Sequence, residues 1–171
     1  LGHTGTLDPM ATGVLPVLVE SATRAADLLP ESGKAYRASF VLGLTTDTQD
    51  ITGAVLLRRP FCVSAAALEQ ACVPLRGKIL QVPPMYSAVK KDGVRLYDLA
   101  RRGITVEREA RPVTVETLTV ESFCPESGEG TLFVRCSKGT YVRTLIADLG
   151  EALGCGAVMT SLRRTEACGF S

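Results

Sequence analysis

The stretch VTVETLTVESFCPESGEGTLFVRCS, residues 113–137, decides the fold class. Val113 to Ser122 and Thr131 to Ser137 both suit strands, and Pro125 to Gly130 between them is the loop of a hairpin. A hairpin pairs its strands antiparallel. Working outward, Lys34 to Leu44 is rich in β-formers and runs into Gly43, and Ala54 to Arg58, Lys78 to Val82 and Ala157 to Arg164 are further strands. Val14 to Glu20 is apolar and short enough for a buried strand. Three helices are predicted: Ala22 to Leu29, capped by Ser21 and ended by Pro30; Ala65 to Val73, capped by Ser64 and ended by Pro74 and Gly77; and one from Val142 to Gly154. In the last, Val142, Leu145, Ile146, Leu149 and Leu153 fall on one apolar stripe. Strands outnumber helices, so the class is α+β, with a mixed, mainly antiparallel sheet flanked by helices.

Two segments stay outside that scheme. Residues 2–13, GHTGTLDPMATG, hold three glycines and a proline and form a shaped loop, as does the polar stretch Thr45 to Gly53. From Pro83 to Pro112 the chain leaves the main sheet: a Pro-Pro step, the short apolar run Tyr86 to Val89, an Asp92-Gly93 turn and an amphipathic stretch, Val94 to Arg102, stopped by Gly103.

The 171 residues suit one domain, or one with a small insertion, and 46% hydrophobic with 22% charged residues is an ordinary globular composition. No apolar run is long enough for a membrane helix, and Leu1 begins no signal peptide, so a cytoplasmic protein without membrane attachment is expected. Because the chain starts inside a loop, its native N-terminus is expected upstream. Cys62, Cys72, Cys124, Cys136, Cys155 and Cys168 are widely spaced without a Cys-x-x-Cys pair and read as free, buried thiols. The single histidine, His3, leaves no plausible zinc ligand set, so no metal is expected.

The net charge of +1 hides a segregation. Between Arg76 and Arg111 stand nine Lys or Arg (Arg76, Lys78, Lys90, Lys91, Arg95, Arg101, Arg102, Arg108, Arg111) against four acids, a net of +5. The other ten bases face fourteen acids, a net of −4. A basic surface on an otherwise acidic protein is the footprint of a polyanion partner.

Asp8-Pro9 taken alone is a turn. Ser-His-Asp and Cys-His chemistry have only His3 to draw on, which leaves carboxylate, hydroxyl and arginine groups as the working parts. Gly2-His3-Thr4-Gly5-Thr6-Leu7-Asp8-Pro9 through Gly13 resembles the catalytic loop of the TruB family of tRNA pseudouridine synthases. Lys34-Ala35-Tyr36 is similar to that family's Lys-x-Tyr strand, and Thr46-Asp47-Thr48-Gln49-Asp50 with Gly53 to the acidic loop after it. Ser137-Lys138-Gly139-Thr140-Tyr141-Val142-Arg143-Thr144, the run Pro83-Pro84-Met85-Tyr86-Ser87-Ala88-Val89-Lys90, and Leu162-Arg163-Arg164 complete a resemblance that spans the chain.

The resemblance implies a pseudouridine synthase fold and isomerisation of the T-loop uridine, position 55, of tRNA. The N1 glycosidic bond breaks, the base turns, and C5 bonds to C1′; no cofactor is needed. Asp8 would be the nucleophile, attacking C1′ or C6, with Arg143 favouring its ionised form. Tyr36 would lie against the flipped base and Tyr141 near it, placed to move a proton from C5. His3 would touch RNA beside the flipped nucleotide, Arg164 a phosphate, Leu162 the base, while Asp50 would hold the site loop or meet RNA. Residues 83–112 resemble the family's thumb, which closes over the T-loop, and put Lys90, Lys91, Arg101 and Arg102 on RNA. Residues 1–171 are thus expected to be a catalytic core fragment, a monomer, without the family's upstream Lys-Pro-x-Gly-x-Thr-Ser segment and without its C-terminal PUA-like extension. A guide-RNA-dependent relative of the box H/ACA type and a non-catalytic RNA-binding or RNA-folding module are the competing readings. The Pro83 to Lys90 run and the long basic excursion favour the stand-alone enzyme, and Asp8, Tyr36, Tyr141 and Arg143 together favour catalysis.

Neutralising Lys90, Lys91, Arg101 and Arg102 together is expected to weaken tRNA binding and flatten its salt dependence, the log–log slope falling by about 0.7 to 0.9 for each phosphate left without its cation. Binding isotherms at several salt concentrations measure this; an unchanged slope makes these charges a solvated face.

Overall fold

The computed structural model describes residues 1–29 and 33–171. Its strands are β1 (Gly2–His3), β2 (Thr12–Gly13), β3 (Val17–Leu18), β4 (Lys34–Leu42), β5 (Leu44–Thr46), β6 (Val55–Arg58), β7 (Gly77–Gln81), β8 (Lys90–Lys91), β9 (Val94–Arg95), β10 (Arg111–Cys124), β11 (Glu129–Cys136) and β12 (Ala157–Glu166). The α-helices are α1 (Ala65–Cys72), α2 (Leu96–Arg101) and α3 (Val142–Ala152). Six strands form the main sheet in the order β2-β12-β4-β11-β10-β7, antiparallel throughout except for the parallel pair of β12 with β2. The α+β class with a mixed, mainly antiparallel sheet is borne out.

The β10–β11 hairpin is the centre of this arrangement, paired from Val115 opposite Cys136 to Cys124 opposite Glu129. Its turn closes where Gly128 takes a φ of 72° and donates to the Cys124 carbonyl at 2.8 Å. Alternation along β4 sends Tyr36, Ala38, Phe40 and Leu42 to one face, where Leu132, Val134, Met159 and Leu162 join them beneath Leu68 of α1 and Leu145, Ile146 and Leu149 of α3. The other face is polar and carries cross-strand ion pairs, Arg37 with Glu121 and Arg135 with Glu166. Ser64 caps α1 by accepting from the Ala67 amide at 3.2 Å.

Several expectations are corrected. Val14 to Glu20 is not a buried strand: only Val17–Leu18 pairs, with Gly2–His3 outside the main sheet, and Leu15, Val17 and Val19 stay exposed because the ribbon is two residues long and meets only the short helix that follows it. Glu20–Leu28 is a 3-10 helix beginning at Glu20, with Thr23 Oγ1 donating to the Glu20 carbonyl at 2.7 Å, rather than a helix capped by Ser21; its expected end at Pro30 lies outside the described residues. The polar stretch after Gly43 contains a strand, because β5 pairs with β6. All six cysteines are free, but only Cys72, Cys136 and Cys155 are buried. Burial pushes the thiols of Cys72 and Cys136 up to about 11.

The excursion is a β8–β9 hairpin around Asp92-Gly93 followed by α2. Among the described residues no helix is long and apolar enough to cross a membrane, and no group of three or more His, Cys, Asp or Glu side chains is arranged to hold a metal ion.

Gly150 on α3 lies where the helix crosses the start of β12, and a Cβ there would overlap the Ala157 backbone nitrogen. In an open helix Gly→Ala stabilises by about 1 kcal/mol. Here overlap with backbone outweighs that gain, so Gly150→Ala is expected to destabilise by about 1–3 kcal/mol. Urea unfolding measures the sign; a gain in stability shows that α3 does not press on β12 as described.

Candidate active site

The site begins with a buried arginine. Arg143, in the first turn of α3, is 5% exposed, and every nitrogen of its guanidinium is engaged. Nε donates to Asp8 Oδ2 at 2.8 Å and Nη2 to Asp8 Oδ1 at 3.1 Å, a two-point bond between residues 135 positions apart. Nη1 donates to the Thr48 carbonyl at 2.9 Å and Nη2 to the Tyr86 carbonyl at 3.0 Å. Asp50 Oδ2 stands 3.8 Å from Nη1. Its Oδ1 is already filled by the Thr48 hydroxyl at 2.9 Å and by the Thr52 amide and hydroxyl at 2.9 and 2.6 Å. Asp50 is therefore a fixed acceptor behind Arg143. Planar two-point pairing suits arginine alone among the cations and fixes the carboxylate's orientation.

Asp8 keeps a side exposed, 29% against 5% for its partner, and so faces a cleft of about 670 Å³. Tyr36 and Leu162 from the sheet, Tyr141 and Thr140 from the α3 approach, and Tyr86, Arg95, Tyr97 and Arg101 from the excursion share its wall. The loop that carries Asp8 turns at Pro9, where the Ala11 amide bonds the Asp8 carbonyl at 2.8 Å, and is then pinned to β12 by the Val14 amide on the Arg164 carbonyl at 2.9 Å. Gly13, at φ 103°, lies so close to that carbonyl that a Cβ would overlap it. Tyr141 stands in extended backbone just before α3, held by the buried Gln81. The Gln81 Nε2 group donates to the Tyr141 carbonyl at 3.1 Å and its Oε1 accepts from the Tyr141 amide at 2.8 Å. Burial pushes the Tyr36 phenol above its ordinary range, with Arg164 across the strand pair pulling the other way.

A carboxylate oriented by a buried guanidinium, under a wall with aromatic rings, makes a cleft that a flat, uncharged ring system could enter. Residues 1–142 match the model described as "TruB family pseudouridylate synthase (N terminal domain)", and residues 143–171 match "tRNA pseudouridylate synthase B C-terminal domain". The chain belongs to the TruB family. The boundary between the two matches falls within α3, and β12 sits inside the main sheet, so the matched segments form one layer. The tRNA pseudouridine synthase B of Pseudomonas aeruginosa (strain UCBPP-PA14) is 54% identical over 170 residues, covering 99% of this chain and 55% of the relative. That of Azoarcus sp. (strain BH72) is 52% identical over 165 residues, 96% of this chain and 54% of the relative. The chain thus spans about 55% of the length of these relatives. Among solved structures, "Crystal Structure of a Cbf5-Nop10-Gar1 Complex" matches with a TM-score of 0.69 at 34% identity, covering 96% of this chain and 39% of that one. "Structure of H/ACA RNP bound to a substrate RNA containing 2'-deoxyuridine" matches at 0.65 and 29%, covering 98% and 38%.

Of the TruB-type residues expected from the sequence, Asp8, Tyr36, Asp50, Arg101, Tyr141, Arg143 and Leu162 come together around one cleft. His3, Lys90, Lys91 and Arg102 lie outside it and are exposed, with Lys91 Nζ donating to the Glu107 carbonyl at 2.6 Å. Arg164 is a correction: it is fully buried, and its Nε and Nη2 donate to the Val14 and Gly5 carbonyls at 2.7 and 3.3 Å. It faces inward because it shares the core face of β12 with Leu162, and it holds the Asp8 loop instead of meeting a phosphate. Asp50 is likewise withdrawn, 6% exposed and spent on Thr48, Thr52 and Arg143. Sequence reasoning missed Gln81, whose partner is 60 residues away, and missed Arg95 and Tyr97, which join the expected Arg101 at the cleft wall. The guanidinium carbons of Arg95 and Arg101 stand 5.7 and 5.3 Å from the Tyr97 ring centre. The i, i+4 spacing of Tyr97 and Arg101 was a legible signal for that contact.

Replacing Arg164 with Met is expected to lower the melting temperature, since two loop carbonyls lose their donors at a cost of about 1–3 kcal/mol. The salt slope of RNA binding is expected to stay as it was. A drop in slope with no loss of stability returns Arg164 to the phosphate-contact role.

Proposed function

We propose that the chain is the catalytic part of a tRNA pseudouridine synthase that isomerises the T-loop uridine at position 55, with Asp8 as nucleophile. The observation that carries this reading is the two-point bond from buried Arg143 to the half-exposed Asp8 carboxylate at the wall of the cleft. The guanidinium fixes the carboxylate at two points and aims its oxygens, while Tyr36 and Leu162 offer a flat and an apolar surface to a uracil taken out of the RNA stack. Asp8 forms the covalent bond that lets the N1–C1′ bond break. The freed base turns in place and C5 bonds to C1′, displacing Asp8 if it holds C1′; the C5 proton then leaves with help from Tyr141, and an Asp8 held on C6 is expelled in that same step. Atoms and electrons balance within the nucleotide, which is why no cofactor or metal is called for.

Residues 83–112 act as an RNA-gripping, thumb-like insertion within a single core of residues 1–171: their exposed Lys90, Lys91 and Arg102 face outward while Arg95, Tyr97 and Arg101 line the cleft. His3, exposed on β1, is a further RNA contact. A monomer suffices, since one chain supplies the whole described cleft, and a tRNA substrate locates the enzyme in the cytoplasm. Identity of 54% to a relative named for tRNA, against 29% to a chain of an H/ACA RNP, supports the stand-alone reading over the guide-dependent one.

Asp8→Asn in the full-length protein is expected to lower single-turnover conversion of a T-loop RNA by more than about a thousandfold. RNA affinity is expected to stay within a few-fold, because the carboxylate adds nothing to phosphate binding. Pseudouridine mapping after incubation with unmodified tRNA reads the first quantity and filter binding the second; near-parental conversion overturns the assignment.

A further inference from the structure

Lys34 has no part in the chemistry described so far, yet it lines the same cleft. It opens β4 two positions before Tyr36, so strand alternation puts both side chains on one face. A Cβ built on Gly5 would stand 2.5 Å from Lys34 Nζ, which puts the ammonium directly against the loop that carries Asp8. Arg164 comes within 3.9 Å of the same point through Nη1, and that nitrogen is buried without a hydrogen-bond partner.

Two cations therefore meet beneath the loop, and among the described residues no carboxylate is bonded to either. Asp8 is held by Arg143, Asp50 by Thr48 and Thr52, Glu166 by Arg135 and Glu121 by Arg37. Burial first, and then the Arg164 guanidinium, lower the Lys34 pKa below the ordinary lysine value. An ammonium kept half-buried beside a guanidinium is unfavourable until an anion arrives. In a cleft that takes up a uridine nucleotide, the base and the ribose carry no charge. The anion has to be a phosphodiester.

We propose that Lys34 is a substrate-contacting residue whose ammonium takes a phosphodiester oxygen flanking the nucleotide bound over Tyr36, with Arg164 behind it strengthening the positive field. This rests on the pseudouridine synthase reading. It differs from the contacts assigned to the insertion, because it acts inside the cleft and on the target nucleotide.

The test compares the full-length protein with its Lys34→Met and Lys34→Gln variants on a T-loop stem-loop RNA, binding being measured across a salt series. Both variants are expected to bind about tenfold more weakly, with the log–log salt slope reduced by about 0.7 to 0.9, at a melting temperature that does not fall. The decisive arm uses RNAs in which the phosphate 5′ or 3′ of the target is replaced by a neutral methylphosphonate. One of these is expected to weaken binding to the parent and to weaken binding to the variants no further. Additive losses, or an unchanged salt slope, overturn the role of Lys34, and if the Met variant melts early the Gln variant decides. A parent protein that neither binds nor converts the RNA overturns the functional reading and this role with it. A parent that does both, with variants that keep the full slope, overturns the role alone.

Discussion

Arg143 makes the site possible by demanding more partners than any one segment can supply. Moving a guanidinium out of water costs several kcal/mol unless its donors are filled. The chain fills them from three places: Asp8 in the N-terminal loop, Thr48 and Asp50 between β5 and β6, and Tyr86 at the start of the insertion. None of these is near Arg143 in sequence. Satisfying one buried cation thus gathers three loops around the head of α3, and the space between them is the cleft. The same requirement explains why Asp50 is buried although it is a carboxylate: its Oδ1 is filled by Thr48 and Thr52, and its Oδ2 faces Arg143 across 3.8 Å.

A second buried arginine works differently. Arg164 has neutral carbonyl partners, so its charge fixes the Asp8 loop without being neutralised by a carboxylate. Its register opposite Tyr36 places it behind the end of the sheet from which Lys34, Tyr36 and Leu162 line the cleft. The sheet therefore presents a graded wall. It is apolar at Leu162, aromatic at Tyr36 and positive at Lys34, and it stands across from the Asp8–Arg143 pair. A nucleotide is graded in the same way, with a flat base at one end and a charged backbone at the other.

How far the sequence revealed this follows from the range of each interaction. The β10–β11 hairpin, the Ser64 cap and the apolar stripe of α3 are written within a few residues of where they act, and all three were legible. The Asp8–Arg143 pair spans 135 positions; no local pattern encodes it, and only resemblance to a family brought the two together. Arg164 shows where both routes fail. A basic residue near a chain's end reads as a surface contact, because whether an arginine is buried depends on acceptors contributed from far away, here Val14, 150 positions distant. Val14 to Glu20 fails for the opposite reason: its apolar run is real, but strand burial needs a neighbouring layer, and β1 gives it only a two-residue ribbon.

The insertion joins the site at its root, not at its tip. Gln81, where β7 ends and the excursion starts, clamps both polar backbone groups of Tyr141, and five residues on the Tyr86 carbonyl accepts from Arg143. Beyond Tyr86 the insertion mainly bonds to itself: the Tyr97 amide to the Ser87 carbonyl at 3.1 Å, the Leu96 amide to the Val89 carbonyl at 2.8 Å, and Lys91 to Glu107. Its exposed charges are therefore carried on a self-contained unit, while its root is bonded to Tyr141 and Arg143 at the cleft. Tyr86 and Gln81 are the two points of the insertion that fix where Arg143 and Tyr141 stand. A basic segment used only to raise affinity would not need its root bonded to the backbone of Tyr141 and the guanidinium of Arg143. The root of the insertion and the Asp8–Arg143 pair therefore belong to one hydrogen-bonded framework, so a change that moves Tyr86 or Gln81 moves the partners of Arg143 and Tyr141 with it.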